Sequence, residues 1–145
     1  MLVLMIRVVS STVDSAHLNR LDEWFIAEWG KEGALRLADS TEPHPLVALE
    51  HDEALGGLAF SRFRRPGGES LALWINALFV VPDHRRKGIA SQLIRAAEAE
   101  ADKLGEKELY ALTDIPILYV NLGWRCIHSD SAGTVVGKIA ATVSP

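Results

Sequence analysis

The 145-residue sequence has a single cysteine, Cys126. No intrachain disulfide can form, which suits a reducing compartment. Positive charge is not in excess: 15 Lys and Arg stand against 19 Asp and Glu, a net charge of −4. That balance lacks the broad basic field of a nucleic-acid binder and argues against such a partner. No apolar run approaches the roughly 18 residues of a membrane span. The uncharged stretch Leu2 to Ile6 is too short for a signal-peptide core and no basic residue precedes it, so a cytoplasmic protein with no membrane contact is expected. The five histidines show no ligand spacing such as His-x-x-x-His, so no metal is expected. Repeats, low-complexity tracts and long linkers are also missing, which predicts one domain over residues 1–145.

What is present is ordinary globular material, 48% hydrophobic and 23% charged, enough to bury a core without a covalent staple. Leu2 to Val9 reads as a strand. Asp14 or Ser15 then caps a helix whose Leu18, Leu21, Trp24 (or Phe25) and Trp29 recur at helical spacing, and Gly30 ends it. A short helical turn is expected over 31–38, before Pro43 and Pro45. Two strands follow, Leu46 to Glu50 and Leu58 to Phe63, joined by a tight turn near Asp52-Glu53, with Gly56-Gly57 marking a bulge or close backbone approach. The turn Arg64-Arg65-Pro66-Gly67-Gly68 leads into Leu71 to Val81, a nearly unbroken apolar run of the kind a central strand shows when both faces are covered. From Gly88 the period becomes helical, with Ile89, Leu93, Ala97 and Leu104 on one face and Gly105 as the stop. A strand (Lys107 to Thr113), a short helix (about Ile115 to Leu122) and two strands (Trp124 to His128, Thr134 to Ala141) complete an α+β order.

One junction carries chemistry. In Leu78-Phe79-Val80-Val81-Pro82-Asp83-His84-Arg85-Arg86-Lys87-Gly88-Ile89-Ala90 a buried strand stops at proline, a basic loop follows and a helix opens at glycine. Unpaired first-turn amides and the helix dipole converge there. Gly88 and Ala90 leave room for a diphosphate, and Arg85, Arg86 and Lys87 add charge. By itself the junction reads first as an ordinary solvated surface turn and only second as a phosphate site. No Gly-Lys-Ser/Thr closes a P-loop, and no Gly-x-Gly-x-x-Gly is present.

The order Arg85-x-x-Gly88-x-Ala90 after Leu78-x-Val80-x-Pro82 closely resembles the acetyl-CoA motif of the GNAT N-acetyltransferase superfamily, Gln/Arg-x-x-Gly-x-Gly/Ala. The resemblance implies a mixed, mostly antiparallel sheet splayed between its fourth and fifth strands and flanked by helices, with acetyl-CoA as cosubstrate in the gap. It implies that amides from about Arg86 to Ser91, through Lys87, Gly88, Ile89 and Ala90, hold the pyrophosphate, and that the main chain of Leu78, Phe79 and Val80 pairs with the pantetheine arm. Leu118-Tyr119-Val120-Asn121-Leu122-Gly123-Trp124 is similar to the family's Tyr-x-x-x-Gly-aromatic segment, which implies that Tyr119 also meets CoA and protonates the leaving thiolate. Taken alone, Tyr119 reads as an amphipathic core residue. Where many members carry an asparagine seven residues before the tyrosine, this chain has Leu112, and the neighbouring Thr113 fits the form of a threonine-bearing sub-group.

The amine needs a base, and the central strand supplies none at Trp74, Ile75, Asn76 and Ala77. Asn76 can orient a water or the amine but cannot take its proton. Glu50 and Asp114 lead the remaining candidates, ahead of His51 and Glu69. Cys126 reads as a small buried thiol. Trp24, Trp29 and Trp74 read as core aromatics with an acceptor-lining alternative, and Arg62, Arg64 and Arg65 as a solvated hairpin end, with attraction of an acidic acceptor or of the CoA ribose phosphate as the alternative. The expected reaction is direct acetyl transfer to an amine of a small molecule or protein. A non-catalytic acyl-CoA sensor and a tRNA-acetylating toxin are the rivals. Homodimers are common in the family, though no residue here demands one.

Overall fold

In the computed structural model residues 5–11, 15–30 and 43–139 are described. In chain order they form β1 (Ile6–Ser10), α1 (Ser15–Trp29), β2 (Leu46–Glu50), β3 (Glu53–Arg64), β4 (Leu71–Val80), a 3-10 turn (Pro82–His84), α2 (Ile89–Lys103), β5 (Glu108–Thr113), α3 (Pro116–Val120), β6 (Arg125–Asp130) and β7 (Gly133–Ile139). The strands make one seven-stranded sheet, β1-β2-β3-β4-β5-β7-β6, antiparallel except for the parallel β4–β5 pair. The α+β expectation and nearly every element are borne out. Expectations for 1–4, for a cap at Asp14, for a turn over 31–38 and for strand beyond Ile139 fall outside the described residues. The strand expected at Leu58 starts earlier, at Glu53, because the Gly56-Gly57 pair is a place of close approach within the strand and does not end it. A Cβ on Gly56 would lie 2.7 Å from the Phe79 carbonyl, and one on Gly57 would overlap Leu21 and lie 2.8 Å from the Leu46 carbonyl.

Each face of the sheet has its own cover. The apolar stripe of α2 places Ile89, Leu93, Ile94, Ala97 and Ala101 against Leu58, Leu73, Ile75 and Leu109. On the opposite face Leu21 and Phe25 of α1 pack over Val47, Leu49 and Ala59, and Trp24 meets Phe79 at 5.5 Å. The last turn of α2 closes as a Schellman motif: Gly105 N–H donates to the Asp102 carbonyl and Glu106 N–H to that of Ala101. Gly105, at φ 74°, supplies the left-handed residue this requires.

The central strand departs from the sequence expectation. β4 pairs with β5 only at Leu73–Leu109, Trp74–Tyr110 and Ile75–Ala111. Asn76 to Val80 run on beside β3 alone, and a bulge leaves Asn76 without a cross-strand partner between Phe60–Ile75 and Ala59–Ala77. Asn76 is exposed and Ala77 to Phe79 only half-buried. An apolar run that looked covered on both faces is instead open along one edge. Because α1 sits flush on Gly57, Gly57→Ala is expected to destabilise the fold by about 1–3 kcal/mol in urea unfolding; an unchanged midpoint would contradict this packing.

Candidate functional site

Where β4 and β5 part, a cleft of about 860 Å³ opens. One wall is Leu78, Phe79 and Val80; the end is His84, Arg85, Arg86 and Gly88 to Ser91; the other wall is Ile115, Ile117, Leu118 and Asn121, and Glu28 and Trp29 close the rim. Two backbone features meet in it. The free edge of β4 offers main-chain groups that no described strand beyond Ala111 satisfies. At the end of the cleft the first α2 bond runs from Gln92 N–H to the Gly88 carbonyl, and no side chain caps the helix. The amides of Ile89, Ala90 and Ser91 therefore face outward unpaired. Gly88 holds φ 82° and ψ 7° immediately before helical Ile89, the left-then-right alternation that turns successive amides toward one point. A Cβ on Gly88 would meet no atom within 4 Å, so the space in front of this concavity is cleft.

The basic residues of the loop divide their tasks. Arg85 Nε donates to the Val80 carbonyl at 2.8 Å and its guanidinium lies 5.3 Å from the Phe79 ring centroid, so it ties the loop to β4. Arg86 adopts φ 64°, strain of about 1–2 kcal/mol for a residue with a side chain, and lines the cleft. Lys87 is exposed and not part of the lining. His84 lines the cleft with Nδ1 buried and unpartnered. A second depression, of about 340 Å³ behind α2, is lined by Glu98, Asp102, Glu106 and Glu108 beside Lys107 and Lys138. That carboxylate excess repels a phosphate.

Tyr119 lies on the second wall's helix, yet its ring turns inward. It is 3% exposed and packs on Trp124 at 4.9 Å with 63° between planes. Burial alone pushes its hydroxyl up to about 12 from 10.0. Thr113 Oγ1 accepts the Ile115 N–H at 3.0 Å, closing the turn from β5 into α3. Asp114, next to it, is exposed beside the β6–β7 turn at Gly133.

A profile of the acetyltransferase (GNAT) family matches residues 15–117. The chain belongs to the GNAT family. Solved structures agree on the fold. A GNAT family acetyltransferase from Brucella melitensis, in complex with acetyl-CoA, has a TM-score of 0.72 at 23% identity, covering 99% of this chain and 93% of that one. PaiA N-acetyltransferase from Thermoplasma acidophilum, in complex with coenzyme A, gives 0.68 at 14%, covering 93% and 99%. A mosquito arylalkylamine N-acetyltransferase like 5b gives 0.69 at 14%, covering 93% and 100%. No curated protein matches the sequence.

Within this GNAT domain the structure brings Leu78, Phe79, Val80, Arg85, Arg86, Gly88, Ile89, Ala90 and Ser91 together on one cleft, while Asn76, Lys87, Thr113, Asp114 and Tyr119 stand outside its lining. Glu50 is not brought near Asn76. It lies two strands away and, by register, beyond the Val80 end of β4, a separation on the order of 20 Å. His51 is at the same hairpin and Glu69 at the exposed turn before β4. Cys126 corrects an expectation: it is exposed on β6, the outermost strand at that edge of the sheet. Trp29 also departs from the core reading, standing 46% exposed at the cleft rim. Arg62 pairs with Glu106 at 2.6 Å and Arg65 pairs with Glu108, so both clip β3–β4 to the start of β5. Sequence reasoning missed His84, Ile115, Ile117, Leu118 and Asn121 as wall residues, although all lie in or beside the two motif segments; Glu28 carried no signal. Among the described residues no group of three or more His, Cys, Asp or Glu can hold a metal ion, and no helix is long and apolar enough to cross a membrane.

The raised hydroxyl has a direct readout. Tyr119 should stay neutral through pH 10 and ionise near pH 12. Since the unfolded phenol ionises at about 10, stability from this group is complete below pH 10 and lost as pH rises toward 12. Absorbance at 295 nm should show no difference between the protein and Tyr119→Phe below about pH 11; a phenolate that forms near pH 10 in the protein and is lost in Tyr119→Phe would refute the buried placement.

Proposed function

We propose that this chain is an acetyl-CoA-dependent N-acetyltransferase acting on an amine of a small molecule or protein, as a single domain. The observation that carries the reading is the junction of two unsatisfied backbone surfaces in one cleft, the free edge of β4 and the uncapped α2 N-terminus. A CoA thioester has the matching shape: a diphosphate for the amides of Ile89 to Ser91, with Arg86 and Lys87 adding charge, and a pantetheine amide chain for the edge of Leu78 to Val80. The thioester then lies toward the fork of the sheet, near Asn76.

There the amine nitrogen attacks the thioester carbonyl carbon, a C–N bond forms, the C–S bond breaks and CoA leaves as thiolate. Tyr119 is assigned as the donor of a proton or hydrogen bond to that sulfur from its place on the wall helix; its ring packs inward on Trp124, so the hydroxyl has to reach the sulfur from behind the cleft lining. The amine's proton departs to water, with Asp114, adjacent to cleft-lining Ile115, as the terminal acceptor; Asn76 orients the nitrogen or that water. Glu50 is too far to serve. A non-catalytic acyl-CoA sensor is the second reading, favoured by the absence of a base at the exposed Asn76 bulge. A tRNA-acetylating toxin has no such feature in its favour.

Acetyl-CoA at about 100 times its Kd should stabilise the protein by about 2.7 kcal/mol. Gly88→Glu, which puts a carboxylate into the open space before the first-turn amides, should abolish the accompanying rise in Tm. An undiminished rise in the mutant would refute the diphosphate assignment. In a CoA-thiol release assay over a panel of amines and peptides, Tyr119→Phe should lower kcat about a hundredfold at an unchanged KM for acetyl-CoA. Binding without turnover on any amine would establish the sensor instead.

A further inference from the structure

Glu98 lies on α2, outside the cleft, yet a set of contacts around it ends at Tyr119. Trp124 is 2% exposed, so its indole N–H must find an acceptor inside the protein. It donates to Glu98 Oε2 at 3.3 Å. The other carboxylate oxygen is held by Lys138 Nζ of β7 at 2.6 Å, and Arg95, one turn earlier on α2, reaches both oxygens at 3.2 and 3.3 Å. The side chain of Glu98 is only 17% exposed, held by Lys138 on Oε1 and by Arg95 on both oxygens beside Trp124.

From the indole the contacts run straight to the phenol. Trp124 and Tyr119 pack edge to face at 4.9 Å. The chain between them folds back so that Leu122 N–H and Trp124 N–H both donate to the Tyr119 carbonyl, at 2.9 and 3.1 Å. That reversal needs the left-handed φ of 94° at Gly123, and Lys138 Nζ stands beside this glycine. The backbone of Tyr119 is thus held by the turn, and its ring by Trp124. Among the described residues no hydrogen bond acts as a second anchor for the Tyr119 hydroxyl, and burial raises its pKa.

We infer that Glu98 is a positioning residue for acyl transfer: by accepting the Trp124 indole N–H it fixes the ring that orients Tyr119. The inference rests on the acid role proposed for Tyr119. It sets apart a tryptophan from a phenylalanine at this position. A phenylalanine ring has no buried donor to satisfy, whereas the indole without Glu98 leaves one orphaned, and losing one member of a buried pair costs more than losing both.

The test is a set of variants assayed for kcat, KM for acetyl-CoA and Tyr119 absorbance at 295 nm. Glu98→Ala should lower kcat about tenfold with KM unchanged, and Tyr119 should titrate below about 12 because its ring is loosened. Trp124→Phe, which keeps an aromatic ring against Tyr119 but loses its tether to Glu98, should lower kcat less than Glu98→Ala does, because it leaves no orphaned donor. Adding Trp124→Phe to Glu98→Ala should restore kcat to the Trp124→Phe level. That rescue is the deciding outcome, since the Lys138–Glu98 pair is lost in both backgrounds and a simple α2–β7 brace would not recover. A double variant as slow as Glu98→Ala overturns the inference, as does a Glu98→Ala defect that persists undiminished in a Tyr119→Phe background. A Tyr119→Phe enzyme with normal kcat overturns the acid reading beneath it. Should Glu98→Ala fail to fold alone, a folded double variant with Trp124→Phe-like activity supports the inference, and an unfolded one overturns it.

Discussion

The parting of β4 from β5 is the constraint on which the rest of this structure depends. Two parallel strands pair over three residue positions and then diverge, leaving the second half of a central strand with one satisfied edge. Backbone polar groups do not stay unpaired inside a protein without cause. The bulge at Asn76 falls at the point of divergence, and the helix that follows β4 begins with its own unpaired amides. Neither feature costs much at a surface. Together they form a slot lined by main-chain donors and acceptors, which is the form a long, polar, chain-like ligand with a charged end requires.

The elements around the slot serve to hold it open. Gly56 and Gly57 let β3 approach β4 and α1 at distances that no side chain permits, so β4 is carried by β3 and α1 where β5 is missing. On the far wall, Thr113 shapes the turn into α3, and α3 is short, apolar outside at Ile115 and Ile117 and anchored inside by Tyr119 and Trp124. Arg85 faces inward to the Val80 carbonyl, so the strongest-looking cation of the motif is an internal tie, and the charge that faces a ligand comes from Arg86 and the amides.

Much of this was legible in the sequence for physical reasons. Helix α2 was announced by a period-matched apolar stripe between two glycines, and both glycines sit at left-handed φ. The basic end of the cleft was readable because strand, proline, basic loop and glycine stood in a fixed order. What could not be read depended on tertiary placement. An apolar strand does not reveal which neighbour leaves it, so the exposure of Asn76 was hidden. Glu50 and Asp114 are indistinguishable as carboxylates in a sequence, and only the register sends one to the far hairpin and the other past the end of β5, beside the β6–β7 turn. Cys126 lies in a strand as expected, but its exposure follows from the strand order, which puts β6 after β7 at an edge. Glu98 looked like one more solvated helix charge because its partners Trp124 and Lys138 arrive from distant parts of the chain.

The central claim is that the free β4 edge and the α2 amides together receive a CoA diphosphate and its pantetheine arm. Amide chemical shifts recorded by NMR during titration with CoA test it most directly. The account predicts the largest changes at Ile89, Ala90 and Ser91, with a second group along Leu78 to Val80 and little change at Glu98, Glu106 or Lys107. Changes centred on the acidic depression behind α2, or a silent first turn of that helix, would contradict it.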